Sequence, residues 1–242
     1  MNRIEAICSF INDNDLVVDV GCDQVEVGIL LSKRNIKSIA SDISEKVVAS
    51  AKKKINKLNL NDYINLRVSD GLNNIKEGEA NTLILAGMGS HTILDILKNT
   101  NLRFNKIITI SNNYHDILRD EMNKLNYIVS DELIVYENNK YYNLIVFKEG
   151  KRKYTEKELL LGLNHKDKIM YNKYLHHLKS KYLEIQRVSN NQNIKANKII
   201  KYIEEKEFST IMRNRYFDIC SKEALTNLIN LNIYYKFKEF ID

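Results

Sequence analysis

Between residues 15 and 147, short runs rich in β-branched residues alternate with stretches of helical spacing, the pattern of a mostly parallel sheet covered on both faces. Strands are predicted at 16–20, 38–42, 63–68, 82–86, 106–110, 127–136 and 141–147, and helices at 25–33, 45–57, 90–98 and 115–125. The polar segment Glu137-Asn138-Asn139-Lys140 joins the last two strands as a short hairpin, so at least one strand runs antiparallel.

After Gly150 the period changes. An apolar seam of 3–4 spacing runs through Tyr171, Leu175, Leu178, Tyr182 and Ile185, and returns at Ala196, Ile199 and Ile203. The interruption Ser189-Asn190-Asn191-Gln192-Asn193 is made of residues that favour turns over helix interiors. Two antiparallel helices packed as a short coiled coil are therefore expected. Residues 208–241 are apolar and aromatic enough to pack back on another part of the chain. The expected organisation is a sheet domain over residues 1–150 and a helical coiled-coil domain over 151–242.

Charge sharpens that division. Residues 151–242 carry 19 Lys and Arg against 11 Asp and Glu, whereas residues 1–150 carry 18 against 20. The positive excess lies in the helical part and suits a polyanionic partner, although a lysine-rich codon usage would also produce it. A chain that is 44% apolar and 28% charged is expected to fold rather than stay disordered. No apolar run approaches the roughly 18 residues that span a bilayer, and the first residues lack the pattern of a signal peptide. Cys8, Cys22 and Cys220 are scattered and odd in number. They fit a reducing compartment, so we expect a cytoplasmic protein with no metal site, no membrane partner and no obligate protein partner.

Chemistry in such a sheet belongs at the carboxyl ends of the strands. The first strand leads into Asp19-Val20-Gly21-Cys22-Asp23, where the lone glycine permits a tight turn beside a ligand. A dinucleotide loop would carry three glycines, and flanking acids would repel a pyrophosphate. They suit a ligand bearing a sulfonium and an ammonium. At the second strand end, Asp42-Ile43 offers a carboxylate for ribose hydroxyls; at the third, Ser69-Asp70-Gly71 offers one for an adenine amino group. Each acid has a plainer alternative as a cap of the following helix. At the fourth, Ala86-Gly87-Met88-Gly89 lets backbone pass close to a ligand. Three successive acidic strand ends favour an adenosine-containing cofactor, S-adenosyl-L-methionine. The Asp/Asn-Pro-Pro-aromatic motif of exocyclic-amine methyltransferases is excluded, since the chain has no proline.

A doubly wound sheet closed by a hairpin is similar to that of the Rossmann-like methyltransferases. More specifically, Asp19-Val20-Gly21-Cys22-Asp23, Ser69-Asp70-Gly71-Leu72, Ala86-Gly87-Met88-Gly89, Asn112 and Leu118-Arg119 resemble the bacterial tRNA (adenine-22-N1)-methyltransferase family (TrmK). The resemblance runs in order over residues 1 to about 148, and that family also has a helical C-terminal domain. It implies methylation of adenine N1 in the D-loop region of tRNA, with S-adenosyl-L-methionine held by the strand-end motifs. Cys22, Gln24 and Glu26 stand where the family usually has Ser, His and Tyr, and Ile110-Ser111-Asn112 where it has Gln-Pro-Asn. On this reading Asn112 holds the Watson–Crick edge of the base, or caps a helix. Tyr114 stacks on the base, or packs at a helix start. Basic residues of the helical part, Lys173, Lys179, Lys181 and Arg187 among them, are expected to track tRNA phosphates. Two readings stay open beside this one: a methyltransferase of the same fold acting on another RNA position, and a non-catalytic RNA-binding relative.

Overall fold

The computed structural model describes residues 1–220, with side chains through residue 209. Seven strands form one sheet: β1 (Val17–Val20), β2 (Ser38–Asp42), β3 (Ile64–Val68), β4 (Thr82–Met88), β5 (Lys106–Ser111), β6 (Tyr127–Glu137) and β7 (Lys140–Glu149). Their order is β3-β2-β1-β4-β5-β7-β6, parallel except for β7, which runs antiparallel to β5 and β6. The sequence reverses direction between β1 and β4, and the strand ends on either side of that point carry the acidic and glycine motifs.

Helices α1 (Arg3–Cys8), α2 (Glu26–Ser32), α3 (Glu45–Lys57), α4 (Ser90–Lys98) and α5 (His115–Lys124) flank the sheet. Ile93, Leu94, Leu97, Leu118 and Met122 pack one face against the strands. Ile7, Phe10, Val27 and Leu31 of the α1–α2 side pack the other. Each fully buried Ile or Leu of this kind contributes about 1.5–3 kcal/mol. Local signals set the helix starts. The Ser44 hydroxyl accepts from the Val47 N–H at the head of α3, and Asn2 with Glu5 closes a capping box on α1. In the β6–β7 turn both Asn138 and Asn139 have positive φ (50° and 60°), the geometry a two-residue hairpin needs.

Three helices follow: α6 (Glu156–Leu161), α7 (Lys168–Val188) and α8 (Ile194–Cys220). Packing divides the chain into two compact units, Met1–Tyr174 and a second that begins at Leu175. Residues 151–174, grouped with the helical part on sequence, thus pack with the sheet. They are stapled there by a buried ion pair. Arg119 Nε and Nη2 donate to Glu132 Oε1 at 2.8 and 2.5 Å, and both side chains are 1% exposed. Arg119 Nη1 also donates to the Leu159 carbonyl (2.7 Å), the Leu163 N–H donates to Glu132 Oε2, and the Tyr171 hydroxyl donates to the Leu161 carbonyl (2.9 Å). Gly162 (φ +81°) lies so close that a Cβ there would fall 2.6 Å from Glu132 Oε2.

In the second unit α7 and α8 run antiparallel. Gln186 Nε2 donates to Asn197 Oδ1 (2.8 Å), and Lys179 pairs with Glu204 and Glu207 at 3.3 and 2.9 Å. The reversal falls at the expected asparagines, with positive φ at Asn190 and Asn191. Leu175, Ala196, Ile199 and Ile203 are buried, while Leu178, Tyr182 and Ile185 are half-buried. The apolar stretch 208–241 lies for the most part outside the described residues.

Candidate cofactor and substrate site

The first loop is held in place by β2. The N–H groups of Gly21 and Cys22 both donate to the Ser41 carbonyl, at 2.8 and 3.0 Å. Gly21 has φ +78°, and a Cβ on it would sit 3.1 Å from Met88 Cε, so both the turn and the neighbouring strand end call for glycine. Asp23 and Val25 also take left-handed backbone (φ 39° and 52°). For a β-branched residue this is strained, and the full burial of the Val25 side chain is what maintains it.

Asp19, Gly21, Cys22 and Asp23 line a cleft with Ala86 and Gly87 of β4. Arg3, Gln24, Glu26 and Ile110 complete much of its wall. Asp19 is only 5% exposed, and its carboxylate accepts no hydrogen bond among the described residues. Burial, and secondarily the nearby Asp42 carboxylate, push its pKa up to about 7. Burial and the same Asp19 charge push the Cys22 thiol up to about 12, so it stays neutral and is no nucleophile.

The remaining expected cofactor residues lie along the adjacent strand ends. Asp42 Oδ1 accepts from the Ser44 N–H (2.9 Å), a turn leading into α3 whose cap is Ser44 itself. Ile43 beside it is 66% exposed, an apolar face at the shelf. Ser69 is buried; its hydroxyl donates to the Gly71 carbonyl (3.0 Å) and accepts from the Asn74 N–H (3.1 Å). Its hydroxyl thus braces the turn after β3. Asp70 is exposed, and since no helix follows Gly71, it has no helix to cap. Gly87 marks a bulge where the β4–β5 register shifts between Ala86 and Met88. Its φ of +83° turns the chain there with open space where a Cβ would go.

Next to the bulge, Asn112 Nδ2 donates to the Gly87 carbonyl (3.1 Å) and its N–H to the Met88 carbonyl (3.0 Å). Asn112 therefore ties β5 to β4 and caps no helix. A helix contact falls to the neighbouring Asn113: its Oδ1 accepts from the Ser90 N–H (3.3 Å) at the start of α4. Tyr114 is left-handed (φ 49°) and 50% exposed, with its ring 5.4 Å from that of His91. It does not pack into the core. Arg3 was missed as well, because nothing local marks it; its partners lie on the distant hairpin. Of the expected phosphate contacts, Lys173, Lys181 and Arg187 are exposed, Lys173 and Arg187 on the side of α7 away from the apolar seam and Lys181 flanking it. Lys179 is committed to Glu204 and Glu207.

A methyltransferase-domain family matches residues 1–145. The chain belongs to that family. It is also similar to the tRNA (adenine(22)-N(1))-methyltransferase of Bacillus subtilis (strain 168), 30% identical over 155 residues, or 62% of this chain and 65% of the relative's length. The solved structure of M. capricolum TrmK with S-adenosyl-homocysteine is 29% identical and superposes with a TM-score of 0.73, covering 84% of this chain and 96% of that one. The B. subtilis M1A22 tRNA methyltransferase TrmK superposes at 0.63 with 24% identity, over 84% and 94% of the two chains, and shares the fold. The sheet is thus the Rossmann-like methyltransferase sheet, with an α-helical C-terminal part. Among the described residues no cluster of His, Cys, Asp or Glu could hold a metal, and no helix is long and apolar enough to cross a membrane.

Proposed function

We propose that this chain is a cytoplasmic S-adenosyl-L-methionine-dependent methyltransferase that methylates N1 of adenine 22 in the D-loop region of tRNA. The observation that carries the cofactor reading is Asp19, a buried carboxylate without a partner that opens onto a cleft. A buried charge normally has a counter-ion, and an incoming ammonium supplies one. Asp42 and exposed Ile43 suit a ribose and the face of an adenine, and the left-handed Gly21 leaves backbone open to the ligand. The residues present therefore fit the cofactor, which when bound supplies an electrophilic methyl group. Similarity to the B. subtilis and M. capricolum proteins supports the choice of tRNA and of the adenine N1 position.

Adenine N1 has a free lone pair at neutral pH, so the chain needs no general base to begin transfer. Its work is alignment and exclusion of water. N1 lies on the Watson–Crick edge, which requires the base to leave its stack and enter a pocket. Tyr114, half-exposed just before α5, is suited to stack on such a base. Asn112 keeps its Oδ1 for the base edge while its amide nitrogen braces Gly87. The test is methyl transfer to a tRNA transcript, read by nucleoside mass spectrometry. We expect 1-methyladenosine from the wild-type transcript and none when adenine 22 is replaced by guanine. Another methylated nucleoside, or none, overturns the assignment.

A further inference from the structure

The cleft is unevenly charged. Asp19, Asp23 and Glu26 line it, and Arg3 is the one basic side chain among its lining residues. Lys33 and Lys54 line a neighbouring groove that shares Arg3 and Glu26 with the cleft, and Lys54 Nζ donates to the Gln24 carbonyl (3.0 Å). The amino-acid tail of the cofactor is a zwitterion: its ammonium suits Asp19, but its carboxylate is repelled by every other charge on the wall. Arg3 is well prepared to receive it. Its Nε donates to Glu137 Oε2 (2.5 Å), and its guanidinium lies 4.4 Å over the centre of the Tyr142 ring. Those contacts fix the plane of the group while Nη1 and Nη2 make no hydrogen bond among the described residues. The helix beneath it is fixed too, since Asn2 and Glu5 close their capping box on either side of Arg3.

We infer that Arg3 anchors the α-carboxylate of the cofactor's amino-acid tail, an inference that rests on the methyl-donor reading above. A planar guanidinium with two free nitrogens matches a carboxylate bidentately, which a lysine ammonium cannot do. Arg3 thereby sets both tail affinity and the register of the methyl group along the strand ends.

Two ligands separate this role from a structural one. S-Adenosylhomocysteine carries the tail; 5′-methylthioadenosine is the same thionucleoside without it. Calorimetry on the full chain should show Arg3→Ala weakening S-adenosylhomocysteine about tenfold or more, with methylthioadenosine changed less than twofold. Arg3→Lys should recover part of the loss. Unchanged S-adenosylhomocysteine affinity, or an equal loss for both ligands, overturns the inference. Wild-type protein that binds neither ligand overturns the methyl-donor reading, and this inference falls with it.

Discussion

Two buried carboxylates, one on the central strand β1 and one on the edge strand β6, have opposite surroundings. Glu132 on β6 is enclosed by the Arg119 guanidinium and the Leu163 N–H, so its charge is matched within the fold. Asp19 on β1 is nearly as buried, yet the charge that acts on it is another acid, Asp42, which adds to the effect of burial in raising its pKa. A buried charge that the fold itself satisfies is a staple; on the proposed reading, one left unsatisfied at the edge of a cleft receives a cation. The contrast also separates stability from function: losing the first should cost folding, and losing the second should cost binding.

The largest expected effect is on the staple. Arg119→Ala leaves Glu132 buried without a counter-ion and should lower unfolding free energy by about 3–5 kcal/mol, seen in chemical denaturation. The double variant Arg119→Met with Glu132→Leu removes both charges and should recover most of that loss. If Arg119→Ala melts like the wild type, the staple is not what holds residues 155–171 to the sheet.

Asp19→Asn should do the reverse. Its folded pKa of about 7 lies above the ordinary carboxylate value, so between roughly pH 4 and 7 the folded chain binds more protons than the unfolded chain. Ligand-free stability must then fall as pH rises through that window. Asn carries no such penalty, so Asp19→Asn should be more stable than wild type at pH 8, by ~1–4 kcal/mol, with the difference fading toward pH 4. Thermal melts across pH check the sign.

These predictions rest on features of unequal visibility in the sequence. The alternating runs and the helical spacing placed β2, α3 and α4 without error, and the Asn-Asn turn announced the hairpin. The acids at the strand ends were visible because each follows its strand directly. Helix α6 went unseen: six residues show no period, and only the Thr155–Glu158 capping box marks its start. β4 ran past its expected end because the bulge at Gly87 carries pairing on to Met88. What escaped were contacts between distant residues, such as Arg3 with Glu137 and Lys179 with Glu207. Ser69 shows a different ambiguity, because a serine at a strand end can brace its own turn as readily as face a ligand.

The smallest effect concerns the helical part. Lys181→Ala with Arg187→Ala should weaken tRNA binding and reduce the slope of log affinity against log salt by up to ~2. Lys179→Ala should leave that slope unchanged and cost the α7–α8 hairpin roughly 0.5 kcal/mol, because its charge is spent on α8. Equal slopes for all three proteins would exclude this face as a phosphate contact.

The contrast between the two acids is tested most directly by titrating S-adenosylhomocysteine into wild type and Asp19→Asn between pH 6 and 8. An ammonium seated on Asp19 requires the ionised carboxylate, so wild-type affinity should rise by up to roughly tenfold across that range. Asp19→Asn should bind weakly and without that rise. Wild-type affinity independent of pH, together with an Asp19→Asn protein that binds as tightly, would contradict the assignment of Asp19 as the cofactor's counter-ion.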